Sequence, residues 1–184
     1  MATKVNKVIV FAMPRFGDMF ESFYATQLIK GVSTVIEKNN YDLLLHIYDK
    51  NNVNEIFDIR FANPEAVDGF IFADIDQDEE LLLKIKKSKA PCMVLNNIFE
   101  ESDINFVGID NKAAASEMVE YFIQLGHKRI ATITGDLSTQ SGKMRLLGYK
   151  DALSKHKLEI KDEYIIAGDY KREKSREAAK RLLK

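Results

Sequence analysis

The sequence predicts an α/β fold in which helices cover both faces of mostly parallel sheets. Short apolar runs alternate with amphipathic stretches along the whole chain, which is the pattern of consecutive βαβ crossovers. Hydrophobic residues make up 46% of the 184 residues, so the chain has enough apolar material for a core and no compositional sign of disorder. A change of charge near residue 111 suggests two sheets joined there instead of a single sheet.

The elements of the first part are predicted from apolar runs and turn signals. Strands are predicted at 7–13, 41–48, 67–73, 91–96 and 105–110, with Pro91 at the first position of the fourth, where its missing N–H is tolerated. Helices are predicted at about 21–39, 52–63 and 77–89. The first helix carries Leu28, Val32 and Val35 or Ile36 on one apolar stripe.

The second part repeats the alternation. Helices are predicted at 111–126 and 142–156 and from about residue 171, and strands at 129–135 and 164–169. Gly126 can adopt the left-handed conformation that ends a helix, and the basic residues that follow it would face the negative helix end. These elements predict an N-terminal α/β domain at 1–111 and a partial C-terminal α/β domain at 112–184.

The charge distribution argues against a nucleic-acid surface in the chain itself. Residues 1–112 contain 12 Lys and Arg against 18 Asp and Glu, and residues 113–184 contain 15 against 10. The basic residues of the second part alternate with acidic ones along helices, which favours a solvated face. No apolar run reaches membrane-span length and no signal-peptide pattern is visible, so the sequence predicts a cytoplasmic protein with no membrane contact.

Catalytic and cofactor motifs are not found in the sequence. The single cysteine, Cys92, lies in a predicted buried strand, which favours a packing role and a reducing compartment. The histidines, His46, His127 and His156, lack the spacing of a metal site. A phosphate-binding P-loop, a dinucleotide G-x-G-x-x-G and a G-x-S-x-G elbow are absent from the sequence. We therefore expect no metal, no cofactor and no enzymatic activity.

Polar loops follow nearly every predicted strand, at the sheet edge where α/β proteins bind ligands. They read MPRFGDMFESFY, ADIDQD, LNN, IDN, TGDLSTQSGKMR and AGDYKR. Arg145 follows the hydroxyl-rich loop, and its five donors suit ligand hydroxyls or carboxylates. An ion pair with a nearby Asp on the helix surface is the alternative, and the residues alone leave both open.

Aromatic residues also lie at these strand ends. Tyr170 follows a predicted strand at a place where core packing is hard to arrange, so it is a candidate to stack on a ring-shaped ligand. For Phe20, Phe23 and Tyr24 the apolar stripe of the first helix competes with a ligand role.

One long stretch, VGIDNKAAASEMVEYFIQLGHKRIATITGDLSTQSGKMRLLGYKDAL, resembles the effector-binding core of the LacI/GalR family of bacterial transcription regulators. The segments GVSTVIEKNNYDLLLH, VDGFIF and AGDY match other elements of that family, so the resemblance covers residues 5–184. It implies a type I periplasmic-binding-protein-like fold with two flavodoxin-like, or Rossmann-like, parallel-sheet subdomains, of which the second is incomplete. It further implies that the subdomains close on a small effector, most often a sugar.

The resemblance also implies the residues of the effector pocket and favours ligand contact for Arg145. The side chains carried over by position are Tyr24, Asn96, Ser141, Arg145 and Tyr170, the last as a stacking ring. Further candidates are Asp74, Asp110 and Thr139.

The chain departs from the family pattern at both ends. MATKVNK leads straight into the first strand, where the family has a helix-turn-helix and a hinge helix, and the chain ends after two βα units of the second subdomain. The resemblance therefore implies the effector-sensing part of a homodimeric regulator, which reaches operator DNA only through a helix-turn-helix outside this chain. A sugar-binding protein of a transport system and an α/β enzyme remain as alternatives. The missing signal peptide and the GHKRIA segment weigh against the transport protein.

Overall fold

The structure, a computed structural model, describes residues 7–15, 19–20, 22–49, 66–75, 84, 87, 91–99 and 103–183. The chain divides into two units, Met1–Gly108 and Ile109–Lys184. The helices predicted at 52–63 and 77–89 lie outside the described residues, except for Lys84 and Lys87, which are helical.

Five parallel strands form the sheet of the first unit. They are β1 (Val8–Pro14), β2 (Asp42–Tyr48), β3 (Gly69–Ala73), β4 (Cys92–Leu95) and β5 (Asn105–Val107), in the order β2-β1-β3-β4-β5. This is the flavodoxin-like doubly wound order, which places the crevice for ligands outside the carboxyl ends of the strands. The central strands β1 and β3 are buried on both faces, which explains their continuous apolar sequences.

Helix α1 (Phe23–Lys38) covers one face of this sheet. Ser22 caps its N-terminus by accepting the Ala25 N–H at 3.3 Å, and the helix buries Ala25 and Ile36. The predicted stripe is confirmed for Ile36 but not for Val35, which is 61% exposed. One helical residue corresponds to about 100° of rotation, so adjacent positions cannot both face the sheet.

The second unit contains a two-stranded parallel sheet and three helices. Its elements are α2 (Asn111–Gln124), β6 (Thr132–Thr134), α3 (Gln140–Lys155), a 3₁₀ turn (Asp162–Tyr164), β7 (Ile165–Ala167) and α4 (Arg172–Leu182). Strands β6 and β7 are three residues each, shorter than predicted. The N–H groups of Gly168 and Asp169 both donate to the Thr134 carbonyl, at 2.9 and 3.2 Å, which turns the chain away from the ladder.

Helices α2 and α3 pack together over a core of Val119, Ile130, Tyr149, Ala152 and Leu153. Their close approach depends on Gly148, because a Cβ atom there would lie 2.1 Å from the Lys112 carbonyl oxygen. The Tyr149 hydroxyl donates to the Ile130 carbonyl at 2.8 Å and satisfies a buried acceptor just before β6.

The predicted end of α2 is confirmed. Gly126 has a φ of 90°, and the Gly126 and His127 N–H groups bond to the carbonyls of Ile123 and Phe122. In the described part of the chain, no helix is both long enough and apolar enough to cross a membrane.

Candidate functional site

A polar cluster lies at the carboxyl ends of β3 and β4 in the first unit. The Tyr24 hydroxyl donates to the Asp74 carboxylate, with both oxygens at 2.8 Å, and accepts a hydrogen bond from the Asn96 side-chain amide. Two residues predicted from distant positions, Asp74 and Asn96, therefore both contact the Tyr24 hydroxyl, and we call the three residues the Tyr24 cluster. It offers carboxylate, amide and phenol groups within a few ångströms of each other.

Backbone conformation helps to present this cluster. Asp74 and Asn96 follow β3 and β4 directly and have φ values of 52° and 70°, in the left-handed region that Asp and Asn tolerate best among residues with side chains. Their N–H groups donate to the carbonyls of Leu95 and Val107, at 3.2 and 2.8 Å. These bonds fix the turn after each strand, so the two side chains have defined positions.

Two phenylalanines lie beside this cluster in sequence. Phe20 is 68% exposed and Phe23 is 79% exposed, so neither belongs to the apolar core stripe of α1. Tyr24 itself is 42% exposed, although it holds Asp74 and Asn96. Phe20, Phe23 and Tyr24 are therefore exposed and are not part of the core.

A second cluster lies at the carboxyl ends of β6 and β7 in the second unit. The Ser141 hydroxyl is 3.2 Å from the Tyr170 hydroxyl and 3.4 Å from the Thr139 hydroxyl, and we call these residues the hydroxyl cluster. Thr139 has a structural task as well, because it caps α3 by accepting the Gly142 N–H at 3.1 Å and donates to the Asp136 carbonyl at 2.7 Å. Ser141 and Tyr170 therefore have more hydrogen-bonding capacity left for a ligand than Thr139.

Tyr170 lies across Gly135 at the mouth of the loop after β6. A Cβ atom on Gly135 would be 2.2 Å from Tyr170 Cζ, so only a glycine admits the ring in this position. Tyr170 has a φ of 56°, a conformation that is costly for a bulky residue, and it is 56% exposed. A strained, exposed aromatic ring at a strand end is typical of a functional position.

Arg145 points to Asn111 and not to an acidic residue. Its Nε–H donates to Asn111 Oδ1 at 2.7 Å, across the α2–α3 contact. Among the carboxylates that the structure describes, none forms an ion pair with its guanidinium. The alternative raised by the sequence, a surface ion pair with a nearby Asp, is therefore not what the described residues form.

Asp110, the predicted site residue next to Asn111, is not the acceptor of the Arg145 Nε–H. It caps α2, where its Oδ1 accepts the Ala113 N–H at 2.9 Å. Sequence reasoning selected Asp110 from the IDN segment and missed Asn111, the next residue. Asn111 belongs to that same polar strand end, but no feature of the sequence marks it as the partner of Arg145.

A groove with a volume of about 540 Å³ runs along α2, β6 and α3. Asn111, Gly135, Arg145 and Tyr170 contribute to its lining, together with apolar side chains of α2 and β6. This volume lies within the range of small-molecule sites, about 300–1,000 Å³.

Cys92 is partly buried, and its surroundings disfavour the thiolate form. Burial raises the pKa of its thiol, so the protonated form is favoured at neutral pH.

Comparison with known proteins identifies the family of the chain. Residues 16–184 match the family described as periplasmic binding proteins and sugar binding domain of LacI family. Catabolite control protein A of Priestia megaterium is 31% identical over 100% of this chain and 54% of its own length. The HTH-type transcriptional regulator MalR of Streptococcus pneumoniae is 29% identical over 100% of this chain and 56% of its own length. The solved transcriptional regulator CelR–cellobiose complex has a TM-score of 0.79 and 21% identity, covering 96% of this chain and 55% of that chain.

These proteins are about twice as long as the segment that matches them, so the chain spans about half the length of its relatives. The likeness to the CelR structure shows the fold, and the family match extends over most of the sequence. The predicted α/β fold is thereby confirmed, and the chain belongs to the family of the periplasmic binding proteins and the sugar-binding domains of LacI-type regulators.

Proposed function

We propose that this chain is the effector-sensing part of a LacI-type transcription regulator and that its effector is a sugar. The observation that carries the proposal is Arg145, a cation without an acidic partner in the described residues, at the ligand-binding edge of an α/β unit. A guanidinium that is held in place but not neutralised is ready to donate to the hydroxyls or the carboxylate of a ligand.

The two polar clusters have the chemistry that a sugar requires. Hydroxyl, amide and carboxylate groups match the donors and acceptors of sugar hydroxyls, and the exposed ring of Tyr170 can stack on the apolar face of a sugar ring. In the CelR complex the bound molecule is cellobiose. We propose that Tyr24, Asn96, Ser141, Arg145 and Tyr170 make the main effector contacts, with Asp74, Asp110 and Thr139 in supporting positions.

The proposal extends to the whole regulator. The proposed regulator has an N-terminal α/β domain at 1–111 and a partial C-terminal α/β domain at 112–184, close to the observed division into Met1–Gly108 and Ile109–Lys184. In this proposal, contact with operator DNA belongs to a helix-turn-helix outside this sequence. The name of one relative, the HTH-type transcriptional regulator MalR, supports a separate DNA-binding segment. A homodimer in the cytoplasm is the expected form of such a regulator.

We propose binding and not catalysis as the activity. The related proteins are regulators, and the raised pKa of the Cys92 thiol disfavours the thiolate that a cysteine enzyme needs. A turnover assay with the sugar that binds should therefore detect no chemical change of that sugar.

Thermal melting with a ligand panel tests the proposal, because a ligand that binds only the native state raises its melting temperature. The panel consists of D-glucose, D-galactose, maltose, cellobiose, D-glucuronate and cytidine, each at millimolar concentration. We expect at least one sugar to raise the melting temperature of the chain. If none of the sugars does so, the proposed effector class is wrong.

Arg145→Ala then identifies the site. Loss of charge-assisted hydrogen bonds in a closed site costs about 2–4 kcal/mol, or roughly 30- to 1,000-fold in affinity for the sugar that binds wild type. Arg145→Lys should not restore affinity, because an ammonium group lacks the planar fork. Arg176→Ala, which removes an exposed arginine of α4, is the matched control and should bind normally. Calorimetric affinity of Arg145→Ala within about threefold of wild type would exclude Arg145 from the site.

A further inference from the structure

The side chain of Asn111 connects the first turn of α2 to Arg145 on α3 through two hydrogen bonds of opposite sense. Its Nδ2 donates to the Ile109 carbonyl at 3.1 Å, and its Oδ1 accepts the Arg145 Nε–H at 2.7 Å. Because one end of the amide is tied to the backbone, the other end is a fixed acceptor for the guanidinium. An Asn is suited to this position since it combines a donor and an acceptor in one short side chain.

The bond to Nε restricts how the guanidinium can be used. An arginine can offer two oxygens either the side formed by Nε–H and one terminal nitrogen, or the end formed by the two terminal nitrogens. Asn111 takes the Nε–H, so the end with the two terminal nitrogens is left for a ligand. Neither terminal nitrogen of Arg145 has an ion-pair partner among the residues that the structure describes.

We propose that Asn111 is a positioning residue for effector recognition, which holds Arg145 so that its terminal nitrogens face a pair of adjacent oxygens on the effector. A vicinal diol of a sugar ring and the carboxylate of a sugar acid both offer such a pair of adjacent oxygens. The inference rests on the proposed function, because it assigns a role within the same site.

Neutrality of the Asn111 side chain is part of this role. An aspartate at residue 111 would still accept the Nε–H, but it would neutralise Arg145 and lose the donor to the Ile109 carbonyl. An acidic residue in the first turn of a helix is otherwise favourable for stability. Asn111→Asp is therefore expected to fold normally and yet to bind the effector less tightly, which a purely structural role of Asn111 does not predict.

The first measurement needs no ligand. The Arg145 Nε–H resonance is assigned by ¹⁵N NMR in the full chain with the help of Arg145→Lys, and its exchange with water is compared between variants. We expect slow exchange in wild type and fast exchange in Asn111→Ala. Lys112→Ala is the matched control, because Lys112 also bridges α2 to α3, through Asp151 at 2.8 Å, without contact to Arg145. The inference is wrong if exchange is equally fast in wild type and Asn111→Ala.

The second measurement uses the panel sugar that raises the melting temperature of wild type most. Releasing one long side chain from a fixed position is expected to weaken binding about 3- to 10-fold in Asn111→Ala, with no change in Lys112→Ala. In the background of Arg145→Ala, the same substitution should have no further effect, since Asn111 acts through Arg145. Additive losses in the double variant, or normal affinity in both Asn111 variants, would overturn the inference. Failure of the proposed function is recognised separately, as a wild type that responds to no sugar.

Discussion

Replacement of Gly135 by alanine puts one methyl group where the Tyr170 ring lies. The new Cβ atom would be 2.2 Å from Tyr170 Cζ and 2.4 Å from both Cε1 and the hydroxyl oxygen. Non-bonded carbon atoms lie about 3.5–4.0 Å apart, so the ring has to move by more than about 1 Å. The backbone itself accepts alanine, because Gly135 does not have a left-handed φ.

The expected cost of Gly135→Ala to folding is small. Tyr170 is 56% exposed and can turn into solvent, losing mainly its hydrogen bond to Ser141. Such a bond contributes about 0.5–1.5 kcal/mol, and a Gly to Ala change at a compatible backbone position returns about 0.4–1 kcal/mol. The free energy of unfolding should therefore change by less than about 1 kcal/mol.

Effector affinity should fall by a measurable amount. If the ring covers roughly 50 Å² of the sugar, its loss costs about 1.2 kcal/mol at about 25 cal/mol per Å², or about 8-fold in affinity. Chemical denaturation and calorimetric titration measure the two effects on the same sample. Gly31→Ala serves as the control, since no heavy atom lies within 4 Å of its added Cβ, and it should bind normally. Unchanged affinity of Gly135→Ala would refute the stacking role of Tyr170.

Two further predictions concern the α2–α3 contact. In Gly148→Ala the new Cβ would lie 2.1 Å from the Lys112 carbonyl oxygen, a backbone atom, so the overpacking cost should lie in the upper part of its range of about 1–3 kcal/mol. After a gain in helix propensity of about 0.8–1 kcal/mol, denaturant unfolding should show a net destabilisation of up to about 2 kcal/mol, and wild-type stability would contradict this packing. The hydrogen bond from Lys155 to Glu120 outweighs desolvation and lowers the pKa of that carboxyl, so its stabilising contribution is present at neutral pH and is lost as pH falls through the folded-state pKa. Carboxyl NMR should show that Lys155→Ala raises the pKa of Glu120, and an unchanged value would disprove the coupling.

The alternation of strands and helices could be predicted from sequence because it depends on local patterns. Apolar runs marked β1 to β7, and Gly126 marked the end of α2 through its own conformational freedom. Strand order and register depend on contacts between distant segments, such as Val10 beside both Leu44 and Phe70, and no local pattern contains them. For the same reason the sequence could not show that β6 and β7 pair over only three residues each.

For the candidate site, the sequence could indicate residues but not the contacts between them. The polar strand ends and the family resemblance selected Asp74 and Asn96, and the structure adds that both meet at the Tyr24 hydroxyl. The partner of Arg145 was missed because nothing in the sequence distinguishes a capping Asp110 from a contacting Asn111. That distinction arises from the packing of α3 on α2, which brings together residues 34 positions apart.

NMR mapping of the chain, during titration with the sugar that raises its melting temperature most, tests the proposed effector site most directly. Saturable shifts are expected at Tyr24 and Asn96 of the Tyr24 cluster, at Ser141 and Tyr170 of the hydroxyl cluster, and at Arg145. In Arg145→Ala, the shifts at the hydroxyl cluster should be lost. Saturable shifts confined to other surfaces, such as the exposed face of α4, would contradict the proposed site, as would equal shifts in Arg145→Ala.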